Sequence, residues 1–273
     1  MKYLLLLLSF VTVIGLSGCG NMSHTASTHE SMNHESMNHE TKEEKDSTKV
    51  QFTFNSNPES GKKVNLNIQV NDLMGKTVNK FEFEHEKLMH LIVVSKDLSY
   101  FDHLHPVYKG KGLFTVTPDF PSGGEYKLFA DFIPEGSDKN VKTKLVQVSG
   151  EQAKPVSLIP DRVLTKVIDG KEVTLKFDKL TTKNEVKMTF TIKDAKTKKG
   201  ITDLQPYLGA IGHVVAISGD TNTYLHVHPM NEKSSGPDAE FMTSFPKKGL
   251  YKIWGQFKQN GDVFIVPFVV DVP

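Results

Sequence analysis

A histidine-containing stretch occurs twice in this chain, and its two copies limit the possible folds more than any other feature. In each copy an apolar run follows the first histidine, the second histidine lies 13 residues after the first, and the third lies two residues further on, before a proline. Matched positions are offset by 123 residues, which indicates an internal duplication. The six histidines are His90, His103, His105, His213, His226 and His228.

Each copy predicts a β-hairpin. The apolar, β-branched run predicts a buried strand, and the segment around His-x-His-Pro predicts its partner. A two-residue turn at Gly219-Asp220 places His213 opposite His226, and a turn at the matching position of the first copy places its first two histidines opposite each other. Residues two apart share a strand face, and opposed Cβ atoms lie about 5 Å apart. The three imidazoles of each copy are therefore expected to converge on one ion.

Short strands and turn residues alternate over residues 50–273, a pattern typical of β-sandwiches. We therefore predict an all-β chain with two tandem Ig-like or cupredoxin-like β-sandwich domains at residues 50–149 and 162–273, joined by a linker at 150–161. Aromatic residues also match between the copies, at an offset of 125 residues. These aromatics, including Phe129 and Trp254, are predicted to be core residues.

The N-terminus has the pattern of a targeting segment. Lys2 precedes an apolar stretch that is too short for a comfortable membrane span, and Leu16-Ser17-Gly18-Cys19 resembles the bacterial lipobox. That resemblance implies a signal peptide at residues 1–18, a diacylated Cys19 and an anchored protein on the extracytoplasmic face of the cell membrane. The alternative is a cleaved secretory signal. Because Cys19 is the only cysteine, no intramolecular disulfide or thiolate zinc site is possible.

Residues 19–49 are rich in polar residues and nearly lack large apolar ones, so we expect a disordered tail. Its histidines are five residues apart, and three of them follow a methionine by two positions. Imidazole and thioether together suit copper. The alternative is a solvated spacer. The candidate auxiliary ligands are Met22, His24, His29, Met32, His34, Met37 and His39.

The chemistry of the triplets favours metal binding over catalysis. Neutral imidazoles suit Cu(II), Zn(II) and Ni(II), and three histidines with an open position also resemble catalytic zinc. A hydrolytic site needs a general base, but Asp102 of the first copy corresponds to Leu225 in the second. The Met/His tail favours copper, with zinc as the alternative. His85, between two glutamates, is predicted to lie on a solvated face.

The repeats carrying His-Leu-His-Pro and His-Val-His-Pro resemble bacterial secreted or lipid-anchored metal-binding proteins with tandem β-sandwich domains, such as YtkA-like proteins, and more distantly CopC-type copper-resistance proteins. The N-terminal histidine of the CopC type has no equivalent here, since Cys19 would be acylated. Lys and Arg total 33 against 32 Asp and Glu, which gives no basic stripe for nucleic acid.

We therefore expect a non-enzymatic lipoprotein that binds copper through one three-histidine site in each repeat. Its role would be to sequester copper at the membrane surface or to pass it to a copper transporter or metallochaperone. Two alternatives remain open. The chain could be an interaction module of a membrane metal transporter, with its histidines at an interface, or a zinc-dependent hydrolase.

Overall fold

The computed structural model describes residues 47–273, which form two tandem β-sandwiches, as predicted. The targeting segment, Cys19 and the tail residues Met22–His39 lie outside the described residues. Within the described part of the chain, no helix is long and apolar enough to cross a membrane.

Within the described residues, the first repeat contains nine strands in two sheets. One sheet has the order β1-β2-β7-β6, and the other has the order β3-β8-β4-β5 with β9 paired to β8. The strands are β1 (Thr48–Phe54), β2 (Leu66–Asp72), β3 (Phe81–Glu82), β4 (His90–Ser95), β5 (Phe101–Leu104), β6 (Val107–Tyr108), β7 (Leu113–Val116), β8 (Gly124–Pro134) and β9 (Asn140–Val148).

The second repeat contains eight strands, and its sheets have the orders β10-β11-β12-β15 and β14-β13-β16-β17. Its histidine hairpin, β13-β14, corresponds to β4-β5 of the first repeat. The strands are β10 (Thr165–Ile168), β11 (Lys171–Phe177), β12 (Glu185–Asp194), β13 (Gly212–Ser218), β14 (Tyr224–Val227), β15 (Asp238–Ser244), β16 (Gly249–Gln259) and β17 (Asp262–Val272).

Burial patterns distinguish the outer sheets from the hairpin sheets. Along β12, buried residues alternate with half-buried or exposed ones, as expected for a strand with one face on a sandwich core. In contrast, β13 is buried at every position, and β4 at every position except its last. Both central strands are therefore covered on two faces, one by their own sandwich core and the other by the opposite repeat.

The strand faces that point away from the sandwich cores pack together in an apolar cluster, which the two hairpin sheets share. Leu91 and Val93 of β4 point into the first sandwich core, whereas Ile92 and Val94 join the shared cluster. The cluster consists of Ile92, Val94, Leu98, Phe129, Val215, Ile217 and Trp254.

The contacts across this interface occur in matched pairs. Phe101 stacks on Trp254 with ring centroids 4.6 Å apart, and Tyr224 stacks on Phe129 at 5.0 Å. Each pair joins an edge strand of one repeat to the central strand β8 or β16 of the other. Phe129 and Trp254 are buried, as the sequence analysis predicted, but they lie between the repeats, outside the core of either sandwich.

Lysines make a second matched pair of contacts. Lys127 Nζ donates to the carbonyl of Thr221 at 2.6 Å, and Lys252 Nζ donates to the carbonyl of Leu98 at 2.7 Å. Equivalent lysines of the two repeats therefore make reciprocal contacts across the interface. The two repeats are related by an approximate twofold relationship that follows from the duplication.

The hairpin turns differ from the predicted two-residue turns. Ser218 pairs with Thr223, and His226 lies opposite Val215 because the connection is two residues longer than expected. In the first repeat His103 likewise lies opposite Ile92. The predicted pairing of His90 with His103, and of His213 with His226, was therefore wrong by two residues. A two-residue shift preserves the strand face, so each triplet still shares one face.

Candidate metal centre between the repeats

Both histidine triplets lie on the faces of the hairpin sheets that meet between the repeats. His90 shares its β4 face with Ile92 and Val94, which belong to the shared apolar cluster. The ring centroids of His90 and His226 are 4.9 Å apart, and those of His103 and His213 are 6.1 Å apart. The two triplets therefore lie side by side in one inter-repeat cluster, in which the ligand atoms form two separate groups.

The first triplet consists of His90, His103 and His105, whose ligand atoms all lie within 4.8 Å of one another. His90 Nδ1 and His103 Nε2 are 2.9 Å apart. Metal–imidazole bonds are about 2.0 Å long, so this spacing suits two adjacent ligands of one ion.

The second triplet is less buried than the first, and a carboxylate lies beside two of its histidines. His226 and His228 form a compact ligand group with Glu84 of the first repeat, again within 4.8 Å. His213 lies beside them, with its ring centroid 5.8 Å from that of His226. The second group therefore draws its ligand atoms from both repeats.

Hydrogen bonds fix the ring nitrogens that face the centre. The first histidine of each triplet uses its Nε2–H to donate to a backbone carbonyl: His90 to Glu84 at 2.9 Å, and His213 to Tyr207 at 3.0 Å. Nδ1 of each ring therefore keeps its lone pair. A partner on the outer nitrogen is the usual way in which a protein orients a metal-binding imidazole.

The second histidine of each triplet is oriented by the opposite repeat. His103 Nδ1 lies 3.0 Å from Gln256 Oε1, and His226 Nδ1 lies 3.0 Å from Asp131 Oδ2. With Nδ1–H donating to these oxygens, Nε2 of both rings faces the centre. Nε2 of His226 has no hydrogen-bond partner there, and Nε2 of His103 faces Nδ1 of His90. Docking of the repeats thus positions one ligand in each triplet.

The sequence analysis placed His85 on a solvated face, and this prediction was wrong. The His85 ring is half-buried, with its centroid 4.3 Å from that of His228 and 4.8 Å from that of His213. A tight turn over Glu84–Lys87, with positive φ at His85 and Glu86, folds this segment over the second triplet.

Glu84, Asp131 and Gln256 were not identified from the sequence. A usable signal existed for Asp131 and Gln256, since each is a polar residue at a matched position of an otherwise apolar strand segment, and both are fully buried. Glu84 lacked such a signal, because its counterpart at the histidine offset is Tyr207.

Burial keeps the imidazoles neutral near pH 7. Loss of hydration lowers the pKa of His90 and His228 to about 4, and that of His105 and His213 to about 3. Burial also lowers the pKa of His103 and His226 well below the usual value, and the neighbouring imidazoles add to the effect. Neutral rings can accept an ion without first losing a proton.

One lysine balances the buried carboxylates. Lys139 Nζ lies 2.8 Å from Glu84 Oε1 and 3.1 Å from Asp131 Oδ2. Burial raises the pKa of Asp131 to about 6, and the charge of Lys139 opposes this shift. Burial would raise the pKa of Glu84 as well, but the contact with Lys139 outweighs it and lowers that pKa. Because two acidic side chains face one basic side chain, this side of the centre attracts cations.

Buried polar atoms without hydrogen-bond partners are concentrated in this centre. In the described part of the chain, every such side-chain atom belongs to the cluster or to the residues that orient it. Buried polar groups in proteins nearly always have hydrogen-bond partners, so this concentration of atoms without partners fits a metal-binding site. The atoms are Glu84 Oε2, His105 Nε2, Asp131 Oδ1, His213 Nδ1, His226 Nε2, His228 Nε2 and Gln256 Nε2.

Asp102, the carboxylate considered as a general base, is directed away from the triplet. It alternates with His103 along β5 and therefore lies on the opposite face. The Tyr100 hydroxyl donates to its Oδ2 at 3.4 Å.

Structural comparisons find β-sandwich proteins with low sequence identity. A tetra-tandem repeat from the extending region of a large adhesion protein is 9% identical, with a TM-score of 0.28 and coverage of 83% of this chain and 49% of that chain. This chain therefore spans about half the length of that structure. A segment of two fibronectin type III domains from chicken tenascin is 12% identical, with a TM-score of 0.25 and coverage of 83% and 99%. Invasin, a bacterial integrin-binding protein, is 10% identical, with a TM-score of 0.25 and coverage of 82% and 40%.

Sequence comparisons define the family more directly. No curated protein matches the chain. A family model described as a domain of unknown function, DUF8832, matches residues 43–150 and again residues 165–273. The two matches coincide with the two sandwiches and together cover most of the chain. The chain therefore belongs to the DUF8832 family, of whose domain it carries two tandem copies.

Proposed function

We propose that this chain is an extracytoplasmic, lipid-anchored metal-binding protein whose two repeats hold copper in the histidine centre between them. The observation that carries the proposal is the convergence of six neutral imidazoles, four of which have an outer nitrogen held by a carbonyl, amide or carboxylate group. Four of the six also present a buried nitrogen without a partner. Binding an ion would satisfy these atoms together.

Copper is favoured over zinc by the ligand types of the tail. Imidazole suits both metals, whereas the thioethers of the Met/His pattern favour Cu(I).

Binding is favoured over catalysis by the surroundings of the triplets. The carboxylates at the centre, Glu84 and Asp131, correspond to Tyr207 and Gln256 in the other repeat, so the two triplets share no general base. Both carboxylates also contact Lys139. We therefore propose sequestration of copper, or its transfer to a transporter or metallochaperone at the membrane surface. This role agrees with the resemblance to YtkA-like and CopC-type proteins.

The lipobox resemblance at Cys19 supports the proposed location. Replacing Cys19 with Ala should release the protein from the membrane or block its maturation, which fractionation of cells would detect. A variant that stays anchored and is processed normally would exclude lipidation.

Metal titration of a tail-deleted protein tests the central proposal. Deletion of residues 20–42, which lie before the first family match, should leave about two ions of Cu(II) bound per chain. Replacing His103 and His105 with Ala should remove one ion, and replacing His226 and His228 should remove the other. If the tail-deleted protein binds neither Cu(II) nor Zn(II), the histidine centre is an interface and the proposal is wrong. Hydrolysis of test esters by the zinc-loaded protein would favour the hydrolase alternative.

A further inference from the structure

We infer that the two repeats hold chemically different metal sites, and that Glu84 of the first repeat completes the site of the second. This inference rests on the proposed metal-binding function. The first site is an imidazole site made by His90, His103 and His105. The second is a mixed site in which the Glu84 carboxylate joins His226 and His228, with His85 at its edge.

The position of the Glu84 side chain is the first support. Glu84 Oε1 lies 3.3 Å from His228 Nε2, and Oε2 is buried without a hydrogen-bond partner in the described chain. Nε2 of His226 and Nε2 of His228 are likewise buried and unpartnered. Glu84, His226 and His228 each offer a ligand atom, and these atoms lie within 4.8 Å of one another.

The turn that carries Glu84 is the second support. Glu84 and Lys87 exchange backbone hydrogen bonds, and the two residues between them have φ values of 46° and 64°. Turns of this kind normally use Asn-Gly or Gly-Gly, because left-handed φ values are costly for other residues. Here the two positions are His85 and Glu86. Backbone strain of this kind is typical of functional sites, and in this chain it holds Glu84 and His85 over the second triplet.

The matching turn of the second repeat shows that the carboxylate is specific to one site. Tyr207 occupies the position of Glu84, and its carbonyl accepts from His213 as that of Glu84 accepts from His90. The backbone role is therefore shared by the copies, whereas the side chain differs. A phenol does not replace a carboxylate as an anionic ligand at neutral pH, since its reference pKa is about 10.

Charge also differs between the two sites. His226 is oriented by the carboxylate of Asp131, whereas His103 is oriented by the neutral amide of Gln256. At the second site Glu84 and Asp131 are acidic, and Lys139, which contacts both, is basic. Two imidazoles with one carboxylate form a ligand set known at zinc sites, and imidazole also suits Cu²⁺.

The test compares three full-chain proteins that share the same tail, so that differences arise only from the replaced residue. They are the parent, Glu84→Gln and the matched control Glu86→Gln, which makes the same charge change at an exposed position of the same turn. Zn²⁺ affinity is measured by competition with a chelator, and the Cu²⁺ environment by electron paramagnetic resonance.

The expected result is that Glu84→Gln weakens one class of Zn²⁺ site at least tenfold and leaves the other class unchanged. The same variant should remove one of the Cu²⁺ spectra that the triplets give, whereas the tail, identical in all three proteins, contributes equally to each. Glu86→Gln should behave as the parent. If Glu84→Gln fails to fold, Glu84→Asp serves instead, because it keeps the carboxylate but shortens its reach, and it should weaken the same class.

Two outcomes separate the inference from the function on which it rests. If the parent binds metal through the triplets but Glu84→Gln and Glu84→Asp match Glu86→Gln in affinity and spectra, the inference is overturned and the function stands. If replacing all six triplet histidines with Ala leaves binding unchanged in the parent, both are overturned.

Discussion

At the scale of single residues, the asymmetry between Asp131 and Gln256 determines how the two halves of the centre differ. Both are buried, and both orient a histidine of the opposite repeat. Asp131 also accepts from the Tyr224 hydroxyl at 3.1 Å and pairs with Lys139. One carboxylate therefore connects a candidate metal ligand, an interface aromatic and a buried base.

Replacing Asp131 with Asn should weaken metal binding at the second triplet by about 10–100-fold, since the charged partner of the His226 ring is lost. The first triplet should change much less, and a competition titration would resolve the two. The matched control is Asp102→Asn, which changes a half-buried carboxylate on the opposite face of β5. Equal affinities in both variants would show that the charge of Asp131 does not strengthen the second site.

At the scale of elements, the two hairpin turns explain why the histidine register differs from the prediction. In the first turn the Asp97 carboxylate accepts from Ser95 Oγ, Ser99 N and Ser99 Oγ, and Leu98 has a positive φ. The second turn repeats this pattern around Asp220. These side-chain bonds favour a four-residue connection over a two-residue turn.

Replacing Asp97 with Ala should lower the free energy of unfolding by about 2 kcal/mol, because several hydrogen bonds of about 1 kcal/mol each are lost. The Asp97 carboxylate also accepts from the backbone of Val156 in the inter-repeat segment, at 2.9 Å. Asp220→Ala should therefore cost less, about 1 kcal/mol. Urea unfolding would measure both, with the exposed Asp271→Ala as control. A larger loss for Asp220→Ala would contradict this account.

At the scale of the whole molecule, the centre depends on how the sandwiches dock. Each repeat supplies a histidine triplet and the hydrogen-bond partner of a histidine in the other repeat. Each also supplies one ring to each of the two aromatic stacks. Packing, hydrogen bonding and the proposed metal binding therefore all act across the same interface, and disruption of one should weaken the others.

Replacing Trp254 with Ala should reduce stability by about 3–5 kcal/mol, as usual for a large buried aromatic, and should weaken metal binding at both triplets. Trp254→Phe is the matched control, because Phe129 fills the equivalent position of the first repeat and stacks in the same manner. Circular dichroism during urea unfolding and a metal titration would give the two results. Unchanged metal binding in a destabilised Trp254→Ala protein would separate the site from the interface.

The metal-free protein should lose stability as the pH falls from about 6.5 towards 4. The histidine pKa values of the folded protein lie below the unfolded value of about 6.5, so the unfolded chain binds more protons in this range. Melting temperatures measured against pH would show the decline. Added Cu(II) should raise the melting temperature at pH 7, by the equivalent of about 2.7 kcal/mol at 100 times the dissociation constant, and much less at pH 4. A melting temperature that does not change when copper is added at neutral pH would contradict metal binding by the triplets.

The all-β class, the two repeats and the sharing of one strand face by each histidine triplet could be predicted from the sequence. These features depend on local periodicity and duplication, which a single chain displays directly. The continuous apolar runs after His90 and His213 also indicated strands that are buried on both faces. One face of each strand packs on its own sandwich core, and the other packs on the opposite repeat.

Three relationships could not be predicted without the packing of the repeats: the triplets meet, Glu84 and His85 lie over the second of them, and Asp131 and Gln256 orient histidines across the interface. These relationships join residues up to 153 positions apart and depend on how two finished sandwiches pack. Periodicity identifies the face on which a side chain lies, but not the surface that the face contacts. The docking of the repeats makes that choice, because it buries apolar surface that neither sandwich can cover alone.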